Sequence, residues 1–496
     1  MKKTLRPLFS LSGQSLAYGM GVYGRQVVIY ISLPFLTSLM TQQEYGAISI
    51  ITSFYTVVNT LTNVGLPSAT FRIYNDSENS AHRNHTLGSS QLLFFSIAGI
   101  TAILIFIFSK YISLLLMGSS DFSDVIRVVA LLLIFDTLNT YGNILLRLQV
   151  RPLAMSVQSL IFIISQMGLA ISLIYFFDYG VIGYWLGYLF GAVVGLSLMI
   201  WLNRHFLVFE VSSFHVKELL RYGMPLVPAT FSLNVLRLTD RFFIRTYLSL
   251  EQVAIFSIGY KIGSLVNVVI APFRVAWPNF AFTTMNKERA RRTYRDVVTF
   301  LLSGSLYIAL VVFTLREELI GLLAPSSYQG ASSVVLFIAL SMVAYGVYPI
   351  LSLGPKIKKE THHLAWISIT VTLINIVLNL ILVPSLGILG VALATFIGYS
   401  ILAGISYWIS QRLYRFPLDW NRLGKLGFSL VITVLIIETA LPTTQNLWFA
   451  LSIKLAGLLI YPILLLLLKF IALQEMIDIF RVAKKFVQNW REVKAK

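Results

Sequence analysis

Long apolar stretches alternate along the chain with short polar connections. An α-helix needs about 20 apolar residues to cross the hydrocarbon core of a bilayer, and most of these stretches reach that length. The pattern predicts about fourteen spans, at about 14–39, 44–67, 87–109, 123–146, 152–177, 181–203, 217–246, 251–279, 297–315, 331–354, 362–383, 387–411, 426–441 and 446–470. We therefore expect an all-α, polytopic membrane protein.

Lysine and arginine are concentrated in every second connection. The cation-rich connections contain Arg72 and Arg83; Arg147 and Arg151; Arg204, Lys217 and Arg221; Lys287, Arg289, Arg291, Arg292 and Arg295; Lys356, Lys358 and Lys359; and Arg412, Arg415, Arg422 and Lys425. The intervening connections are nearly free of cations, with Lys110 and Arg316 as exceptions. Because cations are retained on the cytoplasmic side, this alternation predicts an even number of spans, with both termini in the cytoplasm.

The composition excludes several other classes of protein. The chain has 496 residues, of which 57% are hydrophobic and 12% are charged, whereas soluble proteins carry about 25% charged residues. With no cysteine, the chain has no disulfide framework. Its net charge of +18 follows the alternate connections and forms no single basic patch, so we do not expect a nucleic-acid partner.

Two short segments recur at nearly the same separation. Residues 179–183 resemble residues 386–390 at an offset of 207, and residues 46–50 resemble residues 254–258 at an offset of 208. This offset covers six predicted spans, so both copies enter the membrane from the same side, as in a parallel repeat. We expect a six-helix lobe over 1–209, a second over 210–413, two extra helices over 414–471 and a basic amphipathic cytoplasmic tail over 472–496.

Ionisable side chains inside the spans are the candidate functional residues. Each costs about 2.5–3.5 kcal/mol at the centre of a membrane helix unless it faces protein or water. They are Arg25, Asp136, Arg237, Asp240, Arg241, Arg245, Lys261 and Arg274. Arg127 and Lys454 lie nearer the outer ends, where we expect long side chains to reach the membrane surface.

The repeat predicts that the intramembrane cations meet between the two lobes. Arg25 belongs to the first lobe, whereas Arg237, Arg241 and Lys261 belong to the second. A cavity lined by cations from both lobes suits an anion, and arginine suits phosphate in particular. The alternative is structural ion pairing, with Asp240 neutralising Arg237 at i+3 and Asp136 neutralising one more cation. Several cations would remain unpaired even then.

Four strings carry a family resemblance: Arg221–Pro228 (RYGMPLVP), Asp240–Ile244 (DRFFI), Ala254–Ile262 (AIFSIGYKI) and Phe273–Pro278 (FRVAWP). They resemble the bacterial polysaccharide (O-antigen, Wzx-type) flippases of the MATE-like MOP superfamily. The resemblance implies a V-shaped, two-lobe transporter that moves polyprenyl-pyrophosphate-linked oligosaccharides from the inner to the outer leaflet. It also implies a cationic lumen for the pyrophosphate.

These expectations assign a role to each candidate residue. We expect the substrate pyrophosphate to bind Arg25, Arg237, Arg241, Lys261 and Arg274. Asp240 and Asp136 are candidates for coupling to a proton or sodium gradient, and Pro225 and Pro228 are candidate hinge residues. The expected partners are the lipid-linked oligosaccharide, membrane lipids and the polysaccharide polymerase machinery, with no cofactor.

Two other functions fit parts of the pattern. A cation-coupled multidrug exporter of the same fold would need carboxylates to meet cationic drugs, but no acidic residue precedes Glu44. A membrane-embedded glycosyltransferase or polymerase would need large catalytic loops, and no connection exceeds about 25 residues, which is within the range of short loops. We therefore expect a transporter rather than an enzyme.

The histidines are not expected to take part in the transport site. All six fall in predicted cytoplasmic connections or at their edges: His82, His85, His205, His215, His362 and His363. The sequence therefore predicts neither a metal site nor an intramembrane proton relay built on histidine.

Overall fold

The computed structural model describes residues 21, 23–76, 78–284, 290–358, 360, 362–440 and 447–470, and every regular element in these ranges is helical. The first half contains α1 (23–39), α2 (Gln42–Asn63), α3 (Leu66–Asn75), α4 (Ser80–Ile107), α5 (Ser109–Met117), α6 (Ser123–Leu148), α7 (Pro152–Phe177), α8 (Gly180–Asn203) and α9 (Ser213–Gly223). The second half contains α10 (Val227–Tyr247), α11 (Leu250–Gly263), α12 (Asn267–Thr284), α13 (Ala290–Thr314), α14 (Arg316–Leu323), α15 (Ser332–Leu351), α16 (Leu353–Ile357), α17 (His362–Leu386) and α18 (Ile388–Leu413). Two further helices follow, α19 (Trp420–Ala440) and α20 (Leu447–Leu467).

The helices confirm the expected multi-pass membrane protein. In the described ranges, eleven helical segments are long and apolar enough to cross a membrane. Helices α1, α10 and α19 occupy the three remaining places where a span is predicted. The arginines and the aspartate of α10 lower its hydropathy, although the helix is 21 residues long. The predicted tail over 472–496 lies outside the described residues.

The predicted span over 217–246 is two helices rather than one. Helix α9 ends at Gly223, a 3₁₀ turn covers Met224–Leu226, and α10 begins at Val227. Pro225 lacks the N–H that would continue the hydrogen-bond ladder of α9, whereas Pro228 is accommodated in the first turn of α10. Pro225 therefore lies at a break between two helices, and Pro228 lies just after it.

The order of helices repeats along the chain with the spacing that the sequence predicts. Helix α2 begins at Gln42 and α11 at Leu250, a difference of 250 − 42 = 208. Helices α8 and α18 begin at Gly180 and Ile388, a difference of 388 − 180 = 208. Even the caps correspond, because the side chains of Thr41 and Ser249 each accept a backbone hydrogen bond at the start of α2 and α11.

The helices pack into two halves, and α2 contacts helices of both. In the first half α8 packs on α6 and α7, and α4 packs on α6. In the second half α18 packs on α15 and α17, and α17 packs on α10. Helix α2 joins the halves because it packs against both α10 and α11. Residues that project from α2 are therefore positioned to contact the second half.

Ion pairs attach the two C-terminal helices to α14. The ammonium of Lys454 on α20 is buried and lies 2.8 Å from Glu318 and 3.4 Å from Glu317. Arg316 lies 2.8 Å from Glu438 of α19. The expectation that Lys454 reaches the membrane surface is wrong, because two carboxylates of α14 hold it inside the protein. Arg316 is one of the two cations that lie in otherwise cation-poor connections. Its ion pair with Glu438 explains its presence there.

Candidate functional site

The guanidinium of Arg25 lies among aromatic side chains of the first half. It stands 5.4 Å from the centre of the Phe162 ring and beside the hydroxyl of Tyr188. Tyr188 in turn stacks on Trp185, with ring centres 5.8 Å apart. Arg25 is nonetheless exposed. Since an aromatic face attracts a cation without neutralising it, Arg25 retains its full charge for an anion.

Asp136 on α6 is held by neutral groups of α2. Its carboxylate accepts hydrogen bonds from the hydroxyl of Tyr55 and from Nδ2 of Asn59, the latter at 3.4 Å. Arg25 acts on it electrostatically from outside hydrogen-bond distance. Asp136 therefore weakens the field of Arg25 without forming a direct ion pair with it.

Arg241 reaches from α10 across to α2. Its Nε donates to Oγ of Ser49 at 2.9 Å, and its Nη1 donates to the carbonyl oxygen of Arg237 at 3.1 Å. The guanidinium also lies 5.1 Å from the centre of the Tyr260 ring. Its side chain is buried, with 9% exposed. These contacts fix its position between the halves by hydroxyl, carbonyl and aromatic groups.

Like Arg241, Lys261 reaches with its side chain from the second half to α2. Its Nζ donates to the hydroxyl of Tyr45 on α2 at 2.7 Å. The carbonyl oxygen of Lys261 accepts a hydrogen bond from the hydroxyl of Tyr30 on α1 at 2.9 Å. Two helices of the first half therefore contact this single residue of the second.

Residues related by the repeat touch each other beside these cations. Ser49 and Ser257 are 208 residues apart, and their hydroxyl oxygens are 2.5 Å apart. Gln43 donates to Glu251, again at a separation of 208 residues. When equivalent residues of a two-fold repeat contact each other, they lie at the pseudo-symmetry axis. Gly46 allows this approach, since a Cβ there would lie 2.0 Å from the carbonyl oxygen of Leu250. We call the contacts of α2 with α10 and α11 around Ser49 the central seam.

Arg237 lies one turn before Arg241 on the same face of α10. Electrostatic contacts link it to the hydroxyls of Tyr260, Tyr345 and Tyr399. Its Nε is buried and has no hydrogen-bond partner. A buried donor without a partner is costly, so this nitrogen is a point where an anion would be favoured.

The cations of the two halves form one connected group with few acids. Tyr184 on α8 lies within electrostatic reach of both Arg25 and Tyr45, and Tyr45 contacts Lys261. Within the described ranges, no carboxylate oxygen lies within 4.0 Å of a charged nitrogen of Arg25, Arg237, Arg241, Lys261 or Arg274. Arg241 and Lys261 pack in the central seam rather than line an open chamber, and the binding of an anion by these cations stays a prediction.

Asp240 forms a buried polar cluster instead of an ion pair. Its side chain is 0% exposed, and its two oxygens accept hydrogen bonds from Asn379 and Thr395, each at 3.0 Å. Asn379 also donates to Oδ1 of Asn375 at 3.0 Å. The interpretation of Asp240 as an i+3 ion-pair partner of Arg237 is wrong, since the carboxylate points to α17 and α18. Oδ1 of Asn379 and Nδ2 of Asn375 are buried without partners.

Arg274 on α12 forms a second cationic group with Lys356 on α16. Its guanidinium stands 4.8 Å from the centre of the Tyr345 ring, and Lys356 lies within electrostatic reach of it. Lys356 on α16 donates to the carbonyl oxygen of Pro349 at 3.4 Å. Tyr345 also lies close to Arg237 and so connects this group to α10. Arg274 therefore approaches the site by way of Tyr345.

Arg245 lies beyond the site, at the end of α10. Its guanidinium packs against Gly118, which follows α5 with a φ of +74°. A Cβ on this residue would lie 1.6 Å from Nη2 of Arg245, so glycine is needed both for the backbone conformation and for the contact. Arg245 thus adds a contact between the two halves rather than a substrate group.

Sequence reasoning missed the neutral partners of these charges. Those residues are Tyr45, Ser49, Tyr188, Ser257, Asn379 and Thr395. The cation Lys356 beside Arg274 was missed as well. Ser49 and Ser257 could have been found, because each is a polar residue at the equivalent position of the repeat. The partners of Asp240 come from helices about 140 and 155 residues further on, and no local pattern marks them.

Solved structures share this architecture. The lipid II flippase MurJ in an inward closed conformation is 18% identical, with a TM-score of 0.69, and the match covers 92% of this chain and 97% of that one. A multidrug resistance MATE family transporter of the MOP superfamily, in an inward-facing conformation, is 17% identical, with a TM-score of 0.65 and coverage of 80% and 94%. A MOP superfamily transporter from Pyrococcus furiosus is 18% identical, with a TM-score of 0.58 and the same coverage. These similarities establish the fold.

The family follows from the sequence match. No curated protein matches the chain. The model of a family described as polysaccharide biosynthesis protein matches residues 35–333, which is more than half of the chain and includes α2, α10 and α11. The chain therefore belongs to the polysaccharide biosynthesis protein family and has the fold of the MOP superfamily transporters.

Proposed function

We propose that this protein is a flippase that moves a polyprenyl-pyrophosphate-linked oligosaccharide from the cytoplasmic to the outer leaflet. The observation that carries the proposal is the group of Arg25, Arg237, Arg241 and Lys261 between the halves, which has no carboxylate at ion-pair distance in the described residues. Pyrophosphate is a compact anion whose oxygens accept hydrogen bonds from several guanidinium and ammonium groups at once.

Because the cations contact neutral groups, they suit a site that binds a phosphate and then releases it. Arg241 gives up only a serine hydroxyl and a carbonyl oxygen when it turns to a phosphate, and Lys261 gives up only a tyrosine hydroxyl. Separation of α2 from α10 and α11 would free Nε of Arg241 and Nζ of Lys261 together, whereas the contact of Arg241 with the carbonyl oxygen of Arg237 lies within α10. Movement of the halves about the break at Pro225 is therefore our proposed route to opening.

The lipid chain has a place beside Arg25. Val27, Ile31 and Phe35 are exposed and lie on one face of α1 at i, i+4 and i+8. In a bilayer this apolar face contacts acyl chains. A prenyl chain could remain in the membrane along α1 while its pyrophosphate enters beside Arg25.

The Asp240 cluster is our proposed site for the coupling ion. Its carboxylate, the Thr395 hydroxyl and the amide oxygens of Asn375 and Asn379 are oxygen donors of the kind that sodium and other hard cations prefer. A proton on Asp240 would neutralise the same charge. Because Asp240 shares α10 with Arg237 and Arg241, an ion bound there acts on the helix that bears the substrate cations. Asp136 beside Arg25 is the second candidate.

Depletion in a strain that makes the cognate polysaccharide tests the function. We expect a pyrophosphate-linked glycan to accumulate on the cytoplasmic leaflet, since synthesis continues while translocation stops. Complementation by Arg25→Ala or Arg241→Ala should leave surface glycan at least about tenfold lower at equal protein level, because each removes a charge-assisted contact worth about 1.5–3 kcal/mol.

The matched control is Arg127→Ala, which removes an exposed arginine paired with Asp124 at 2.7 Å. It should restore surface glycan fully. Normal glycan export in the depleted strain would refute the proposal. If depletion instead raised drug sensitivity without affecting glycan, the multidrug exporter would be the better interpretation.

A further inference from the structure

Three histidines and a glutamate meet away from the central seam. His82 and His85 lie in the first turns of α4, and His215 and Glu218 lie on α9. Each pair is spaced i, i+3, so each presents two ligand groups on one face of its helix. The pairs are more than 125 residues apart in sequence, and the packing of α9 on α4 brings them together.

The distances within this cluster suit a shared ligand. Nδ1 of His82 lies 3.1 Å from Nε2 of His215. One nitrogen from each of these rings and one carboxylate oxygen of Glu218 all lie within 4.8 Å of one another. The ring of His85 stacks on that of His215, with centres 5.6 Å apart. Three side chains with lone pairs thus meet at one point, and His85 lies beside them.

Hydrogen bonds inside the cluster leave three polar atoms without partners. The contact between His82 and His215 uses one nitrogen of each ring. Nδ1 of His215, Nδ1 of His85 and Oε2 of Glu218 are buried and have no hydrogen-bond partner. His215 is itself only 7% exposed. Because buried polar groups in folded proteins are nearly always satisfied, Oε2 of Glu218 and Nδ1 of His85 point to a missing ligand, whereas Nδ1 of His215 lies on the other side of its ring from the Nε2 that contacts His82.

We propose that His82, His215 and Glu218 bind a zinc-type divalent transition metal ion, with His85 or water as the fourth ligand. Imidazole nitrogen and carboxylate oxygen are the ligands of many zinc sites. Two nitrogens bound at about 2.0–2.1 Å in tetrahedral geometry lie about 3.3 Å apart, close to the separation of the His82 and His215 nitrogens. His82 and His85 are half-buried, which gives the ion a route from solution.

The metal would fasten the helix that leads into the break at Pro225. Helix α9 packs on α3 and α4 of the first half and continues through residues 224–226 into α10 of the second. A metal bridge between α4 and α9 fixes the first-half side of this joint and leaves the proline side free. The site is thus a structural anchor, and it does not depend on what the protein transports.

Metal binding by the purified full-length protein tests the site. The protein should carry an affinity tag without histidine, be stripped with a chelator and be titrated with Zn²⁺ by equilibrium dialysis. We expect one equivalent to bind. Co²⁺ should give the intense visible absorption of a tetrahedral site. His215→Ala and the nearly isosteric Glu218→Gln should each weaken Zn²⁺ binding by about tenfold or more, because each removes a ligand.

His205→Ala is the matched control, because His205 is an exposed histidine on the connection that precedes α9. The His205→Ala variant should bind Zn²⁺ as tightly as the unaltered chain. Gel filtration identifies any variant that fails to fold. If His215→Ala fails to fold, Glu218→Gln still tests the site. Failure of the unaltered protein to bind one equivalent of Zn²⁺, or equally tight binding by the folded Glu218→Gln variant, would overturn the proposal.

Discussion

At the scale of single residues, the intramembrane charges differ in what neutralises them. Arg241 and Lys261 are held by hydroxyl, carbonyl and aromatic groups, and Asp240 by an amide and a hydroxyl. Each such charge costs about 2.5–3.5 kcal/mol inside a membrane helix, and neutral partners recover only part of that. Lys454, in contrast, is neutralised by two acids. This difference is what we expect if Arg241, Lys261 and Asp240 are kept for a ligand and Lys454 stabilises the fold.

Asp240→Asn tests the residue assigned to ion coupling. The amide keeps the size of the side chain but removes the charge that would attract a cation or accept a proton. In proteoliposomes, we expect glycan transport by this variant to lose its response to an imposed sodium or proton gradient. Asp124→Asn, an exposed acid paired with Arg127, is the control and should respond normally. A full response in Asp240→Asn would remove Asp240 from the coupling mechanism.

At the scale of elements, the places of the helices follow from hydrophobicity, while their junctions follow from backbone chemistry. The described helices occupy all of the predicted span positions because any long apolar run must form a helix in a bilayer. The sequence predicts Pro225 only as a hinge residue within one span over 217–246. Separate helices α9 and α10 arise because α9 packs on the first half and α10 on the second, and no local pattern carries that information.

The ion pairs of α14 predict how α20 is held in place. Changing Glu317 and Glu318 together to glutamine leaves the buried ammonium of Lys454 without a carboxylate in the described structure. We expect a loss of about 3 kcal/mol of stability, since an unpaired buried charge is strongly unfavourable. The thermal unfolding temperature of the detergent-solubilised protein measures it.

Adding Lys454→Met to that double variant should restore most of the lost stability, because the unpaired charge is then gone. Glu78→Gln, at an exposed position before α4, is the control and should not change the unfolding temperature. Equal unfolding temperatures for the double variant and the unaltered protein would show that these pairs do not anchor α20.

At the scale of the whole molecule, the repeat determines where the two halves touch. The offset of about 208 residues was visible in the sequence, and it reappears in the helix starts and in the Ser49–Ser257 contact. The cations of the site were also identified from sequence, since ionisable residues in apolar spans are rare. Their packing in the central seam was not, because it depends on how closely α2 approaches α10 and α11 in this conformation.

A disulfide across the central seam tests whether the halves must separate. The natural chain has no cysteine, so Ser49→Cys with Ser257→Cys introduces one defined pair. Hydroxyl oxygens 2.5 Å apart place the two sulfurs within reach of a bond. We expect oxidation to cross-link the halves and stop glycan transport, and reduction to restore it. The single-cysteine variants should be insensitive to oxidant. Undiminished transport by the fully cross-linked protein would exclude opening at this seam.

The central claim is that cations between the two halves carry the pyrophosphate of the substrate across the membrane. Its most direct test is the rate at which the purified protein moves a polyprenyl-pyrophosphate-linked glycan between the leaflets of proteoliposomes. We expect Arg241→Ala with Lys261→Ala to lower this rate by about tenfold or more, whereas Arg127→Ala should leave it unchanged. An equal rate in the folded double variant and the unaltered protein would show that these cations do not carry the pyrophosphate.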